Sequence, residues 1–144
     1  MMRNGSPLLI VEDNETDVLC LKKAFEKHGV GKAIITASNG EEALAYLKDE
    51  SSEKRGRIPN LILLDLNMPI MNGFEFLEAV KTDSRFKAIP VVILTSSTSK
   101  MDMNDSYSNN VAGYIEKPMD PDEYFEVVRV LDQYWSLSYL PTIN

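Results

Sequence analysis

The chain has 144 residues, of which 44% are apolar and 26% charged, and its 15 basic and 22 acidic side chains give a net charge of −7. This length predicts one domain that buries roughly 68–70% of its unfolded surface. One cysteine and one histidine exclude an intrachain disulfide and any mechanism that needs two histidines. The acidic balance argues against binding to nucleic acid or to anionic membranes, because both require clustered lysine and arginine.

The N-terminal tail, residues 1–7, is predicted to lie outside the folded domain. It carries one arginine and precedes an apolar run that is too short for a secretory signal. No stretch of the sequence approaches the ~20 apolar residues of a membrane span. We therefore expect a cytoplasmic protein that does not contact a membrane.

Short apolar runs alternate with amphipathic segments along the rest of the chain. The runs predict five strands, at residues 8–11, 33–37, 61–64, 91–94 and 112–115. The intervening segments predict helices that begin after Asp13 or Asn14, at Glu41, near Phe74, within residues 96–110, and after a cap at Asp120. This alternation predicts an α/β fold with a doubly wound, five-stranded parallel sheet, and the most apolar run, 61–64, is expected at its centre.

Chemically active side chains follow four of the predicted strands. Glu12 and Asp13 come after the first strand, Asp65 after the third, Thr95 after the fourth and Lys117 after the fifth. Each has a simple structural explanation when taken alone, such as a helix cap or a solvated lysine. Ligands in such sheets bind at the carboxyl ends of the strands, so we expect these side chains to meet at one edge.

Three carboxylates at one edge repel one another and need a counter-charge at neutral pH. An all-oxygen ligand set favours a hard dication such as Mg²⁺, and zinc is disfavoured because Cys20 and His28 lie far from this edge. A metal beside a lysine and a hydroxyl predicts a site for a phosphoryl group. Asp65, which follows the central strand, is the best candidate for a nucleophile that forms an aspartyl phosphate.

Four separated motifs stand out between residues 8 and 132. They are Val11-Glu12-Asp13-Asn14, Leu64-Asp65-Leu66-Asn67-Met68-Pro69 with Asn72-Gly73, Leu94-Thr95-Ser96, and Tyr114 with Lys117-Pro118. In order and spacing these motifs resemble the CheY-like receiver domain of two-component response regulators. The resemblance implies a flavodoxin-like receiver fold over residues 8–132 and a signalling role, with no reaction beyond phosphoryl transfer to the domain itself and its slow hydrolysis.

The resemblance also implies roles for individual residues. Asp65 would accept the phosphoryl group from a sensor histidine kinase or a phosphotransfer protein. Mg²⁺ would be held by Glu12, Asp13, Asp65 and the backbone carbonyl of Asn67. Glutamate at position 12, where aspartate is more frequent, is a mild departure that should preserve metal binding.

The remaining motif residues would bind the phosphoryl group or respond to it. Thr95 and Lys117 would contact the phosphoryl oxygens, and Tyr114 would be a switch aromatic that turns inward as Thr95 moves. A simpler explanation of Tyr114 is permanent packing in the core. The resemblance further implies a cis peptide bond between Lys117 and Pro118, which would aim the lysine.

Residues 133–144 are predicted to form an aromatic extension of the last helix, and no effector domain is expected after it. The output is therefore predicted to be contact with a downstream protein. Together with the long loop at residues 49–59, this extension also resembles the regulators that partner bacterial phytochromes. That resemblance implies a homodimer through the last helix and the extension, and the alternative is that the extension folds back on its own sheet.

Two other functions fit an acidic site on such a sheet less well. Phosphatases that resemble haloacid dehalogenases need an acidic residue two positions after the nucleophile, where this chain has Asn67. A flavodoxin-type protein needs a hydroxyl- and glycine-rich phosphate loop after the first strand, where this chain has Glu12-Asp13-Asn14, which would repel a flavin phosphate.

Overall fold

The computed structural model describes residues 6–49 and 58–137. Five parallel strands form one sheet: β1 (Leu8–Val11), β2 (Ile34–Ala37), β3 (Leu61–Leu64), β4 (Val91–Thr95) and β5 (Gly113–Glu116). The strand order is β2-β1-β3-β4-β5, so β3 lies at the centre as its apolar run predicted. The predicted doubly wound parallel α/β fold is confirmed.

The strands alternate with helices α1 (Glu15–His28), α2 (Gly40–Lys48), α3 (Gly73–Lys81), α4 (Lys100–Ser108) and α5 (Tyr124–Leu137). The first four begin after capping side chains that accept a hydrogen bond from a backbone N–H three residues later, at Asn14, Asn39, Asn72 and Ser99. Before α5, Asp120 caps a 3₁₀ turn over Pro121–Glu123. The last α-helix therefore begins later than the Asp120 cap predicted, because a tighter turn leads into it.

Alternating residues of the strands are buried on opposite faces of the sheet. One buried cluster joins Leu9, Val11, Ile62 and Leu64 to α2 and α3 through residues such as Leu47 and Phe76. The other joins Leu8, Ile10, Leu61 and Leu63 to α1 and α5 through residues such as Phe25 and Val128. Each fully buried aliphatic or aromatic side chain contributes about 1.5–3 kcal/mol, so the two clusters fix the helices over the strand ends.

Some predicted boundaries differ from those observed. Strands β2 and β5 begin one residue later than predicted. Ala33 and Ala112 lie just before them, and each forms a single backbone hydrogen bond to the neighbouring strand, to Leu8 and Val91 respectively. Helix α5 continues past residue 132, and Trp135 packs in the core. Most of the predicted loop at 49–59, and residues 138–144 of the predicted extension, lie outside the described residues. Within the described ranges, no helix combines the length and apolar character of a membrane span.

Candidate functional site

Three carboxylates meet at the carboxyl end of the sheet, and we call them the acidic group: Glu12, Asp13 and Asp65. Glu12 and Asp13 directly follow β1, and Asp65 follows β3, which pairs with β1 in parallel register. One oxygen from each residue lies within 4.8 Å of the others. Glu12 and Asp65 are each 5% exposed, whereas Asp13 is exposed to solvent. This set of hard oxygen ligands could hold a divalent cation, as the sequence predicted.

Lys117 lies against the acidic group. Its backbone N–H donates to the carbonyl of Thr95 at 2.7 Å, which fixes the residue at the end of β5. Its ammonium nitrogen lies 2.9 Å from Glu12 Oε2, 2.8 Å from Asp17 Oδ2 and 3.3 Å from Asp65 Oδ2. The structure therefore brings together four of the five side chains predicted at the strand ends, and Thr95 joins them through its backbone.

The charges at this edge change the proton affinities of the buried groups. Burial raises the pKa of Glu12 to about 7, with the hydrogen bond from Lys117 opposing the rise and the charge of Asp65 adding to it. Burial alone would lower the pKa of Lys117, but hydrogen bonds to Asp17 and Glu12 and the nearby negative charges outweigh it. The pKa of Lys117 is therefore above its ordinary value, and its ammonium remains charged at neutral pH.

The predicted cis bond between Lys117 and Pro118 is wrong for this structure, because no peptide bond of the described residues is cis. A trans bond is the favoured form before proline by about 0.5–1 kcal/mol. The Lys117 ammonium reaches Glu12 and Asp65 with the trans bond, so the aim of the lysine does not depend on a cis bond.

Ser97 connects the end of β4 to β5 and α4. Its backbone N–H lies 3.4 Å from Thr95 Oγ1, and its carbonyl accepts a hydrogen bond from the Tyr114 hydroxyl at 2.9 Å. Its own hydroxyl donates to Asp102 in the first turn of α4 at 2.6 Å. Thr95 is completely buried, and the half-buried ring of Tyr114 packs against the cluster below α2 and α3. Ser97 therefore links Thr95 to Tyr114 and to α4, so a movement of Thr95 would be transmitted to both through this residue.

The start of α3 packs closely against the backbone of Asp65 and Leu66. Gly73, the first residue of α3, donates its N–H to the carbonyl of Leu66 at 3.0 Å. A Cβ atom on Gly73 would lie 2.3 Å from the carbonyl oxygen of Asp65, so only glycine permits this approach. Asn67 is exposed, and its backbone N–H lies 3.5 Å from Asp65 Oδ1. The role of the Asn67 carbonyl as a metal ligand stays a prediction.

Several polar partners of the site were not predicted from the sequence. From the sequence, Asp17 is only an acid of the first helical turn, and Tyr124 only a residue of the buried face of the last helix. In the structure Asp17 contacts both Lys117 and the hydroxyl of Tyr124. The available signal was the position of Asp17 in the first turn of α1, which places it near the end of β1 that carries Glu12 and Asp13. The partner role of Ser97 carried no comparable signal.

Comparison with known proteins agrees with this architecture. Residues 8–129 match the family described as response regulator receiver domain. The probable methanogenesis regulatory protein FilR2 of Methanothrix harundinacea is 38% identical over 128 residues, which cover 89% of this chain and 82% of that protein. The phosphorylated cyanobacterial phytochrome response regulator RcpA superposes with a TM-score of 0.88 at 35% identity, over 96% of this chain and 99% of that one.

The Mn²⁺-bound form of the response regulator Rcp1, a protein of Synechocystis, superposes with a TM-score of 0.85 at 31% identity. That superposition covers 94% of this chain and 99% of the Rcp1 chain. The resemblance inferred from the four motifs is confirmed, including the similarity to phytochrome-associated regulators. The chain belongs to the response regulator receiver domain family, whose members are signalling domains of two-component systems.

Proposed function

We propose that this chain accepts a phosphoryl group on Asp65 from a phospho-histidine donor, either a sensor histidine kinase or a phosphotransfer protein. One observation carries the proposal. The Asp65 carboxylate is buried at the end of the central strand, 3.3 Å from the Lys117 ammonium and within 4.8 Å of oxygens from Glu12 and Asp13. The similarity to RcpA, solved in its phosphorylated form, supports the same conclusion.

The acidic group fits a divalent cation, for which we propose Mg²⁺. All three side chains offer hard oxygen atoms, and the exposure of Asp13 leaves room for the water ligands that Mg²⁺ retains. The Asn67 carbonyl would complete the protein ligands. The similarity to Rcp1, which was solved in a Mn²⁺-bound form, supports a divalent metal in this fold. When bound, the ion would supply positive charge to the phosphoryl oxygens.

Phosphoryl transfer requires few groups from the protein. A carboxylate oxygen of Asp65 attacks the phosphorus, the bond from phosphorus to the donor imidazole nitrogen breaks, and that nitrogen keeps the electron pair. The Lys117 ammonium, already beside Asp65, balances charge on the phosphoryl oxygens, and the Thr95 hydroxyl donates a hydrogen bond to one of them. Water later hydrolyses the acyl phosphate to inorganic phosphate and restores Asp65, so the domain modifies no molecule other than itself and its phosphoryl donor.

The same event would move Thr95 and Tyr114 together and change the surface formed by α4, β5 and the last helix, α5. As Thr95 turns toward the phosphoryl group, the contact from Ser97 to Thr95 changes, and Ser97 also holds Tyr114 and Asp102. Phosphorylation would then shift a population between two arrangements that both exist beforehand. A downstream protein that binds this surface in one arrangement would read the signal.

The experiment is the intact mass of the chain after incubation with acetyl phosphate, with and without Mg²⁺. The proposal expects a Mg²⁺-dependent gain of one phosphoryl group that is lost in Asp65→Asn. Asp105→Asn, an exposed substitution on α4, is the matched control and should keep the gain. If Asp65→Asn gains the same mass as the unaltered chain, Asp65 is not the acceptor.

We also propose a homodimer through α5 and residues 133–144. The outer face of α5 leaves Val130 49% and Tyr134 62% exposed, and the resemblance noted from the sequence implies contact through this helix. Because Trp135 is a core residue, a cut at 132 would also damage the domain. Sedimentation of a chain cut after Leu137, and of Tyr134→Lys, should show weaker self-association. An unchanged dimer in both variants, or a monomeric parent chain, would exclude this interface.

A further inference from the structure

Asp17 joins the phosphorylation site to the last helix. One of its carboxylate oxygens accepts a hydrogen bond from the Lys117 ammonium at 2.8 Å, and the other accepts one from the Tyr124 hydroxyl at 2.8 Å. The Asp17 side chain is 21% exposed, and Tyr124, the first residue of α5, is 3% exposed. Two helices and the lysine therefore meet at a single carboxylate.

The geometry forces a choice on Lys117. An ammonium group has three N–H donors, and here three carboxylates lie within hydrogen-bond or ion-pair distance of it. A new contact with a phosphoryl oxygen on Asp65 must therefore weaken one of the existing contacts. Glu12 and Asp65 belong to the acidic group at the reacting edge, whereas Asp17 lies on α1 outside that group. The contact with Asp17 is the one that movement toward the phosphoryl group would lengthen.

Tyr124 makes this movement relevant to α5. Its ring belongs to the buried cluster formed with α1, together with Val128, Leu131 and Trp135. Burial, and then the hydrogen bond to Asp17, raise the pKa of the Tyr124 hydroxyl above its ordinary value, so it remains a proton donor at neutral pH. When the contact between Asp17 and Lys117 breaks, the Asp17 carboxylate still accepts the hydrogen bond from the Tyr124 hydroxyl on α5. The carboxylate is then free to move together with that helix.

We infer that Asp17 is a positioning residue that holds Lys117 in the unphosphorylated domain, and that Tyr124 couples the release of this lysine to α5. The inference rests on the proposed phosphorylation of Asp65. It describes a second connection, distinct from the contacts of Thr95 and Tyr114, because Tyr114 packs on the face of the sheet under α2 and α3 and Tyr124 on the opposite face.

The test uses beryllium fluoride with Mg²⁺, a stable analogue of the phosphoryl group, and the fluorescence of Trp135. This residue is the single tryptophan of the chain and packs in the same cluster as Tyr124. The variants are Asp17→Asn, which removes the charge, and Tyr124→Phe, which removes only the hydroxyl. Their matched controls are Glu15→Gln in the same turn of α1 and Tyr107→Phe on the exposed face of α4.

We expect Asp17→Asn to bind the analogue roughly fivefold more tightly, because Lys117 loses a competing charged acceptor. We expect Tyr124→Phe to load fully but to lose about half or more of the Trp135 response, since its link to Asp17 is gone. Glu15→Gln and Tyr107→Phe should match the parent chain in affinity and response. Asp17→Ala should show the same tighter binding as the asparagine variant, because it also removes the charged acceptor.

Three results would overturn the inference. Unchanged affinity in both Asp17 variants would mean that this carboxylate does not hold the lysine back. A full Trp135 response in Tyr124→Phe, or no response in the loaded parent chain, would mean that α5 is not coupled to Lys117. If the parent chain neither binds the analogue nor gains mass on Asp65, the proposed function itself fails, and that outcome is recognisable because it precedes any variant.

Discussion

Substituting Gly73 with alanine should damage both the fold and the proposed phosphorylation site. A Cβ at this position would lie 2.3 Å from the Asp65 carbonyl oxygen and 2.6 Å from Leu66 Cα, whereas ordinary contacts of a Cβ begin at 3.4 Å. Both obstacles are backbone atoms, which cannot rotate away as a flexible side chain can. The start of α3 and the chain after β3 would therefore have to separate by about 1 Å.

The size of the effect follows from this displacement. Overpacking in a well-packed interior costs about 1–3 kcal/mol, and an obstacle made of backbone favours the upper end, about 3 kcal/mol of the free energy of unfolding. For a domain of this size that loss lowers the melting temperature by roughly 6–12 °C. Asp65 is carried by the displaced segment, and a misplacement of about 1 Å near a reacting group costs roughly 100-fold in rate.

Urea unfolding followed by circular dichroism measures the stability, and the initial rate of mass gain with acetyl phosphate and Mg²⁺ measures the site. Gly113→Ala in β5 is the matched control, because its nearest contact would be an ordinary 3.8 Å to Val92 Cγ1. That variant should unfold and react like the parent chain. If Gly73→Ala stays within about 0.5 kcal/mol of the parent and reacts at the same rate, the close packing of α3 on the Asp65 backbone is refuted.

Two further substitutions test the stability of other parts of the fold. The Lys32 ammonium nitrogen is buried without a hydrogen-bond partner in the described part of the chain, and burial lowers its pKa from 10.5 to about 8. Between pH 8 and pH 10.5 the unfolded chain therefore binds more protons than the folded chain. The free-energy cost of burying the charged Lys32 is full below pH 8 and decreases to zero as the pH rises to 10.5. In urea unfolding, Lys32→Met should gain about 1 kcal/mol at pH 7, allowing for partial solvation, and the gain should disappear near pH 10.5, whereas the exposed control Lys23→Met should gain nothing at any pH. Asn72→Ala removes a capping box at α3 and should lower the free energy of unfolding by about 1 kcal/mol, while Asn72→Gly should recover most of that loss; equal stability of all three chains would contradict the capping role.

Most of the fold could be predicted because its strands are short, buried runs with little ambiguity. The run Leu61–Leu64 is fully apolar and fully buried, and its central position followed from that composition. The helix starts were predictable where a polar cap marks them, as at Asn14. The turn before α5 was not, because a 3₁₀ turn and the first turn of an α-helix use the same capping chemistry.

The acidic group and Lys117 could be predicted from a rule of topology, since side chains that follow parallel strands share one edge. The partners of those side chains could not. An aspartate such as Asp17 stabilises the N-terminus of a helix whether or not a lysine lies near it. The sequence therefore does not reveal that Asp17 also pairs with Lys117. The Tyr124 hydroxyl reaches Asp17 only because α5 packs against α1. These helices are far apart in the sequence, so their contact cannot be read from local patterns.

Side-chain length explains why the two phosphoryl-binding candidates are tied to different layers of the molecule. Thr95 has a short, fully buried side chain, and it contacts Ser97 in the segment that directly follows β4. Lys117 has a long side chain that crosses the strand ends to reach Asp17 on α1. A phosphoryl group on Asp65 that draws in both side chains would therefore act on the α2–α3 face through Tyr114 and on the α1–α5 face through Asp17. Because the two sets of contacts lie on opposite faces of the sheet, either one can be removed by mutation without direct damage to the other.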